Sequence, residues 1–177
     1  MIETDRLILQ GWHERDRAAF HDLGNDADTM RYLGPIRSQG EDDAAFDRQR
    51  GWLATLGTCG WAVERRRDAT LIGMCGIKPA RVGLPIGGEM EIGWRFAPEY
   101  CGHGYATAAA AASLDHVWRA TTVDRVFAIT VRANRRSWAL MERLGMTRVE
   151  GGDFDHPFLD PGDPLRPHIT YVIDRPR

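Results

Sequence analysis

Residues 97–112, APEYCGHGYATAAAAA, place Gly102 and Gly104 one residue apart just before a run of alanines. Alanine has the highest helix propensity, so a helix is expected to open at about Gly104 and run through residue 120. The first amides of such a helix have no carbonyl partner within it. They point outward together with the positive end of the helix dipole and form a ready site for a phosphate. Glycine lets the main chain itself approach an anion, because no Cβ stands in the way. Two other readings share these residues: glycines that only make a tight turn, and the opening of a dinucleotide fingerprint. The fingerprint fits poorly. Its third glycine position is Thr107, and the strand after the helix ends in ITVRAN, with no acid for a ribose.

Two carboxylates precede this segment. Glu89 and Glu91 are two residues apart in EMEIGWRF, which places them on one face of a strand. There they either take a proton from a reacting group or solvate a strand edge. Asn134 and Ser137 are three apart at the start of NRRSWALMERLGM and share a helix face. Asn134 is also a natural helix cap, and Ser137 an ordinary surface hydroxyl. Other chemistries find no support. The histidines at 13, 21, 103, 116, 156 and 168 lack metal-ligand spacing, HExxH is absent, and no metal is expected. NDADTM lacks the twelve-residue calcium pattern, and there is no G-x-S-x-G elbow.

The chain has 177 residues, a formal charge of −2 and a pI near 6.3. One domain over 1–177 is expected, with no basic face for nucleic acid. Lys78 is the only lysine. Cys59, Cys75 and Cys101 form no CxxC pair, which suits a reducing cytoplasm. The N-terminus does not read as a signal peptide, and no segment is apolar enough for a membrane span.

These residues must be positioned by an α+β frame. Strands are expected at 6–12, 60–66, 71–79, 89–96 and 125–131, with two more in TRVEGGDF and HITYVIDR. Helices are expected at 14–26, 38–57, 104–120 and 134–146. Ser38 and Glu41 form a capping box, and Gly145 suits a left-handed C-terminal cap. The first half is antiparallel. The β-α-β unit over 89–131 makes its two strands parallel through a right-handed crossover.

In this order the motifs resemble the GNAT acetyltransferase superfamily, and in detail its branch of ribosomal-protein (RimJ/RimL-type) N-acetyltransferases. EIGWRFAPEYCGHGYATAAAAASLDHVW is similar to that branch's strand, pyrophosphate loop and helix, and VRANRRSWALMERLGMTRVE to its next motif. IETDRLILQGW and FDHPFLDPGDPLRPHITYVI resemble its opening and closing strands. The family motif, Arg or Gln, two residues, Gly, one residue, Gly or Ala, falls on Cys101, Gly104 and Ala106. Cys101 departs from it, either as a small loop residue or as a reactive thiol.

The resemblance implies a mixed, mostly antiparallel sheet with a splayed central parallel pair, and acetyl-CoA as co-substrate. The main chain of Trp94, Arg95 and Phe96 would pair with the pantetheine arm. Amides of Gly102, His103, Gly104, Tyr105 and Ala106, with the Thr107 hydroxyl, would hold the pyrophosphate; Tyr105 also reads as packing. Glu91 would be the base for an acceptor amine, with Glu89 second. A tyrosine common in the superfamily is Met141 here, so Asn134 and Ser137 would meet the sulfur. The acceptor, a protein N-terminus or a small amine, would enter between segments 32–39, 81–88 and 152–166. Asp153, Asp155, Asp160 and Asp163 would attract a cation there or merely solvate the loop. A homodimer is the family's suggestion. A CoA-binding module without catalysis, a sensor or regulator, is the alternative function.

Overall fold

The computed structural model describes residues 1–176. The elements run β1 (Ile2–Glu3), β2 (Leu7–Gln10), α1 (Arg17–Asn25), α2 (Ala27–Met30), α3 (Gln39–Leu56), β3 (Gly60–Arg65) and β4 (Thr70–Pro79). They continue as β5 (Met90–Phe96), α4 (Tyr105–Ala120), β6 (Arg125–Val131), α5 (Arg135–Arg143), β7 (Thr147–Arg148), β8 (Phe154–Asp155) and β9 (Pro167–Asp174). The strands form a single mixed sheet in the order β1-β2-β3-β4-β5-β6-β9-β7, with β8 also on β9. Only β5 and β6 run parallel; the other pairs are antiparallel.

Strand alternation divides the side chains between two faces. On the back face Leu7, Leu9, Val63, Ile77, Ile92, Val126 and Ala128 pack against α4 and α5. The alanine run earns its place here: Ala109 and Ala110 are wholly buried and let α4 lie close to the strands. On the front face Trp12, Phe20, Ala45, Phe46 and Ala62 form a second cluster under α1 and α3. Trp12 meets Phe20 edge-on at 4.8 Å, and its indole N–H donates to the Gly60 carbonyl at 2.6 Å. A third cluster seats the loop after β4 on the front of β6, through Ala80, Leu84, Ile86, Phe127 and Ile129.

Local chemistry sets the element ends. Ser38 and Glu41 cap α3 reciprocally, and Gly57 ends it at φ +70°. The helix expected at 14–26 begins as a 3-10 turn at Glu14–Asp16 and runs through Gly24 to Asn25. Gly24 stays helical because it packs directly on the buried carboxylate of Asp42. The first expected strand is shorter, and Ile2–Glu3 adds a strand beside it. The strand expected over 147–154 divides into β7 and β8. Gly151, at φ +68°, and a Gly152 N–H bond to the Val149 carbonyl turn the chain between them. No helix among the described residues is long and apolar enough to cross a membrane.

Gly76 on β4 marks the tightest approach between strands. A Cβ there would run into the Cys59 carbonyl oxygen and the Trp61 ring, neither of which can move cheaply. Gly76→Ala is expected to lower the unfolding free energy by about 1–3 kcal/mol. Urea titration checks this as a lower midpoint at unchanged slope.

Candidate active site

The parallel pair is joined by a single register match, Glu91 with Phe127, and the strands then diverge. The Ala97 N–H and the Glu89 carbonyl both bond across to the β4 side. Main-chain groups alternate along a strand, so residues 91, 93 and 95 turn theirs to β4, and 94 and 96 turn theirs toward β6. Beyond Glu91 there is no β6 partner to receive them. Trp94 therefore presents an open N–H and C=O to the gap and Phe96 an open N–H, while the Phe96 carbonyl accepts from Cys101 Sγ at 4.0 Å. Arg95 does not join them, because its main chain faces β4.

At the head of this gap lies the loop into α4. Gly102 and Gly104 take positive φ angles of +82° and +78°. Gly104 is the N-cap residue and offers no side-chain cap, and the first bond of the helix runs from Ala108 N–H to the Gly104 carbonyl at 3.1 Å. The amides of Tyr105, Ala106 and Thr107 thus have no acceptor among the described residues. Nothing lies within 4 Å of a Cβ built on Gly102. The Arg6 guanidinium holds the rim, donating to the His103 carbonyl at 3.0 Å and lying 5.0 Å over the Tyr105 ring. An open set of amides at a helix start, beside a guanidinium, fits a diphosphate. A gap edged by unpaired strand groups fits an extended, amide-bearing arm. Cys101 is exposed at the loop, and burial of its sulfur pushes the thiol up, away from thiolate chemistry.

On the front face Glu91 meets the chain's only lysine. Lys78 Nζ donates to Glu91 Oε2 at 2.8 Å, with the side chains 25% and 13% exposed. Their register pairing across β4 and β5 brings them together. Glu89 is off the strand and exposed; its main chain closes the preceding loop, bonding to Ile86 and Ala80. The Arg95 side chain is buried under α1. It donates to the Phe20 carbonyl at 3.4 Å and contacts Met30 Sδ at 3.7 Å, and burial pulls its guanidinium down to about 10.

Asn134 and Ser137 lie on the other side of the sheet. The Asn134 Oδ1 accepts the Ser137 N–H at 3.3 Å and caps α5. Ser137 is 8% exposed, and its hydroxyl has no partner among the described residues. Met141 is buried in the back core, where it offers no proton. The candidate base and the candidate sulfur donor are thus separated by the strand gap.

The expected acceptor walls also meet. A cleft of about 420 Å³ runs between Gly34–Pro35 and the 158–165 loop, and Asp160 and Asp163 line it. The other two loop carboxylates are engaged: Asp153 by Arg148 and Arg132, and Asp155 by Arg166. Sequence reasoning passed over His156 and His168, which the front loop packs together, tilted by 42° with ring centroids 4.8 Å apart. Their signal was the β8–β9 register, which pairs Phe154 with His168, hidden behind a proline-rich loop.

Removing one member of the Lys78–Glu91 pair leaves a mostly buried charge alone. Lys78→Met is expected to cost about 1–3 kcal/mol of stability, and Lys78→Met with Glu91→Gln to recover most of it. Denaturant melts of the two single variants and the double variant measure the coupling.

Comparison with known proteins places the chain. Residues 6–147 match the family model described as an acetyltransferase (GNAT) domain. The Bacillus subtilis (strain 168) protein YkkB is 31% identical over 146 residues, covering 82% of this chain and 84% of YkkB. Two solved structures share the fold. A Vibrio cholerae spermidine N-acetyltransferase with CoA and spermine is 19% identical at TM-score 0.76, covering 97% of each chain. The RimL ribosomal L7/L12 alpha-N-protein acetyltransferase with coenzyme A is 18% identical at TM-score 0.77, covering 97% of this chain and 95% of its own.

Proposed function

The chain belongs to the GNAT acetyltransferase family, and from that premise we propose that it acetylates a primary amine by direct attack in a ternary complex across the β5–β6 gap. The observation that carries this reading is the junction of two open donor sets, the α4 amides and the unpaired strand groups of Trp94 and Phe96. Acetyl-CoA supplies the activated acyl group, a thioester. The amides of Gly102, His103, Gly104, Tyr105 and Ala106, with the Thr107 hydroxyl and the Arg6 charge, hold its diphosphate. The departure at Cys101 is tolerated because these donors are main-chain groups.

An ammonium has no lone pair, so the acceptor must first lose a proton. Glu91 takes it, directly or through a water, from an amine entering on the front face. The Trp94 N–H donates to the thioester oxygen as negative charge develops there. Ser137 Oγ donates to the sulfur as the carbon–sulfur bond breaks, held in place by the Asn134 cap. Asp160 and Asp163 draw the cationic amine into the front cleft. A RimJ/RimL-like acceptor, the α-amine of a peptide, suits this site first, because it titrates near ~8 against ~10.4 for a lysine-type amine. A polyamine is the second candidate. With its three thiols unpaired, the protein is suited to work in the cytoplasm.

Thiol release from acetyl-CoA, measured against a panel of peptide N-termini and polyamines, tests the reading. Turnover is expected with at least one class, and binding of acetyl-CoA without any turnover would sink it. Glu91→Gln is expected to lower kcat about 10²–10⁴-fold while CoA affinity, read by calorimetry, holds. Gly102→Val, which puts a side chain where the diphosphate must approach, is expected to weaken CoA binding about tenfold or more.

A further inference from the structure

The amine that faces the candidate base belongs to the chain itself. Lys78 Nζ donates to Glu91 Oε2 at 2.8 Å and has no other hydrogen-bond partner among the described residues. The two residues are register partners across β4 and β5, so their side chains leave the same front face. Glu91 also makes the one register match between β5 and β6, so the pair stands where the gap opens.

The choice of side chain is informative. The chain has 23 Lys and Arg residues, and Lys78 is the only lysine among them. An arginine would hold a carboxylate as well or better, through its planar fork of donors. It cannot lose its proton and attack an acyl carbon, whereas a lysine amine can. The cation placed on the candidate base is thus the one Lys or Arg side chain able to become a nucleophile. With 25% of its side chain exposed, Lys78 is neither sealed in the core nor fully in water.

The floor between this pair and the thioester side is bare. Gly93 follows Glu91 by two residues on the same face, next to Trp94, and nothing lies within 4 Å of a Cβ built on it. Its partner across the ladder is Gly76, which also has no side chain. Two strand residues span about 7 Å, within the swing of a flexible four-carbon stem.

We propose that Lys78 is an internal acceptor: acetyl-CoA bound in the β5–β6 gap acetylates Nζ, and the modified chain presents Glu91 to outside amines freed of its cation. The proposal rests on the transferase reading above. An Nζ–H bond of the ammonium breaks, the proton goes to Glu91, and the electron pair left on nitrogen attacks the thioester carbon. The carbon–sulfur bond breaks with its pair on sulfur, and the second proton shed by nitrogen leaves CoA as a thiol. Glu91 returns its proton to water. Nothing is oxidised or reduced. The product, an Nε-acetyl group on Lys78, is uncharged, so Glu91 loses its ion-pair partner and Oε2 is released for the next amine's proton.

The test incubates the full chain with acetyl-CoA alone and follows acetyl uptake by intact mass and peptide mapping. Mapping separates Lys78 from the Met1 α-amine. Uptake is expected on Lys78, at a rate per chain that does not change on dilution, and about 10²-fold slower in Glu91→Gln. If the purified wild type already carries the group, Glu91→Gln is expected to be purified without it. With an alanine-initiated peptide or spermidine as the outside acceptor, the pre-incubated chain is expected to turn over several-fold faster than Lys78→Arg, whose cation cannot be removed. Unmodified Lys78 in a chain that binds acetyl-CoA and releases thiol with an outside amine would overturn the internal acceptor and leave the transferase standing. Uptake as fast in the urea-unfolded chain, or in Glu91→Gln, would be solution chemistry and would overturn it too. Acetylated Lys78 with no gain in turnover over Lys78→Arg would overturn the release of Glu91. No acetyl group on Lys78 and no thiol release with any amine would strike down the transferase reading, and the internal acceptor with it.

Discussion

The parting of β5 from β6 is the constraint on which the site depends. A buried strand normally pairs every N–H and C=O, and leaving such groups open costs free energy comparable to a lost hydrogen bond. Here one bridge at Glu91 and Phe127 is followed by divergence, so Trp94 and the Phe96 N–H are left without a strand partner at the centre of the sheet. The cost is bearable because the flanking ladders are long. β4 pairs with β5 without interruption from Pro79–Met90 to Gly73–Phe96, and β6 with β9 from Arg125–Asp174 to Val131–His168. The two halves are each continuously paired, and only the seam between them is open.

That seam also decides how chemistry is shared between the faces. Helix α4 closes the β5–β6 crossover on the back and brings its free amides to the top of the gap. Helix α5 packs on the same side, so Ser137 approaches from the back. Glu91, Lys78, His156 and His168 belong to the front, as does the cleft bearing Asp160 and Asp163. Donor and acceptor therefore need not cross or displace each other. On the proposed reading each enters from its own face, and the reacting atoms meet where the sheet is open.

Much of this was legible in the residue order. The alanines after Gly104, the Ser38–Glu41 box and the Asn134 cap are local signals, and local signals survive tertiary packing. The parallel pair followed from chain length alone, since a helical crossover is long enough to make its strands parallel. What escaped were the consequences of pairing. The resemblance implies that the Arg95 main chain pairs with the pantetheine arm, but strand alternation turns that main chain to β4 and its side chain beneath Phe20. Glu89 was read as a partner of Glu91, yet the strand begins only at Met90. The four aspartates of the last loop look alike in sequence, and only the arginines that fold against Asp153 and Asp155 separate those two from the two that line the cleft. His156 and His168 have no spacing of their own, because a two-strand register, not a motif, brings them together.

The departures from the family pattern then follow one rule. A position whose work is done by the main chain can change its side chain freely, and one whose work is done by a side chain cannot. On the proposed reading Cys101 stands in a loop whose amides carry the binding, and Arg6, just before β2, holds a guanidinium at the same rim. Met141 stands where many relatives in the superfamily have a phenol, and it is sealed into the core beside α4. On the proposed reading the proton donor for the sulfur comes from elsewhere on the same helix. Ser137 lies one turn earlier, with its N–H fixed by Asn134 and its hydroxyl without a partner among the described residues.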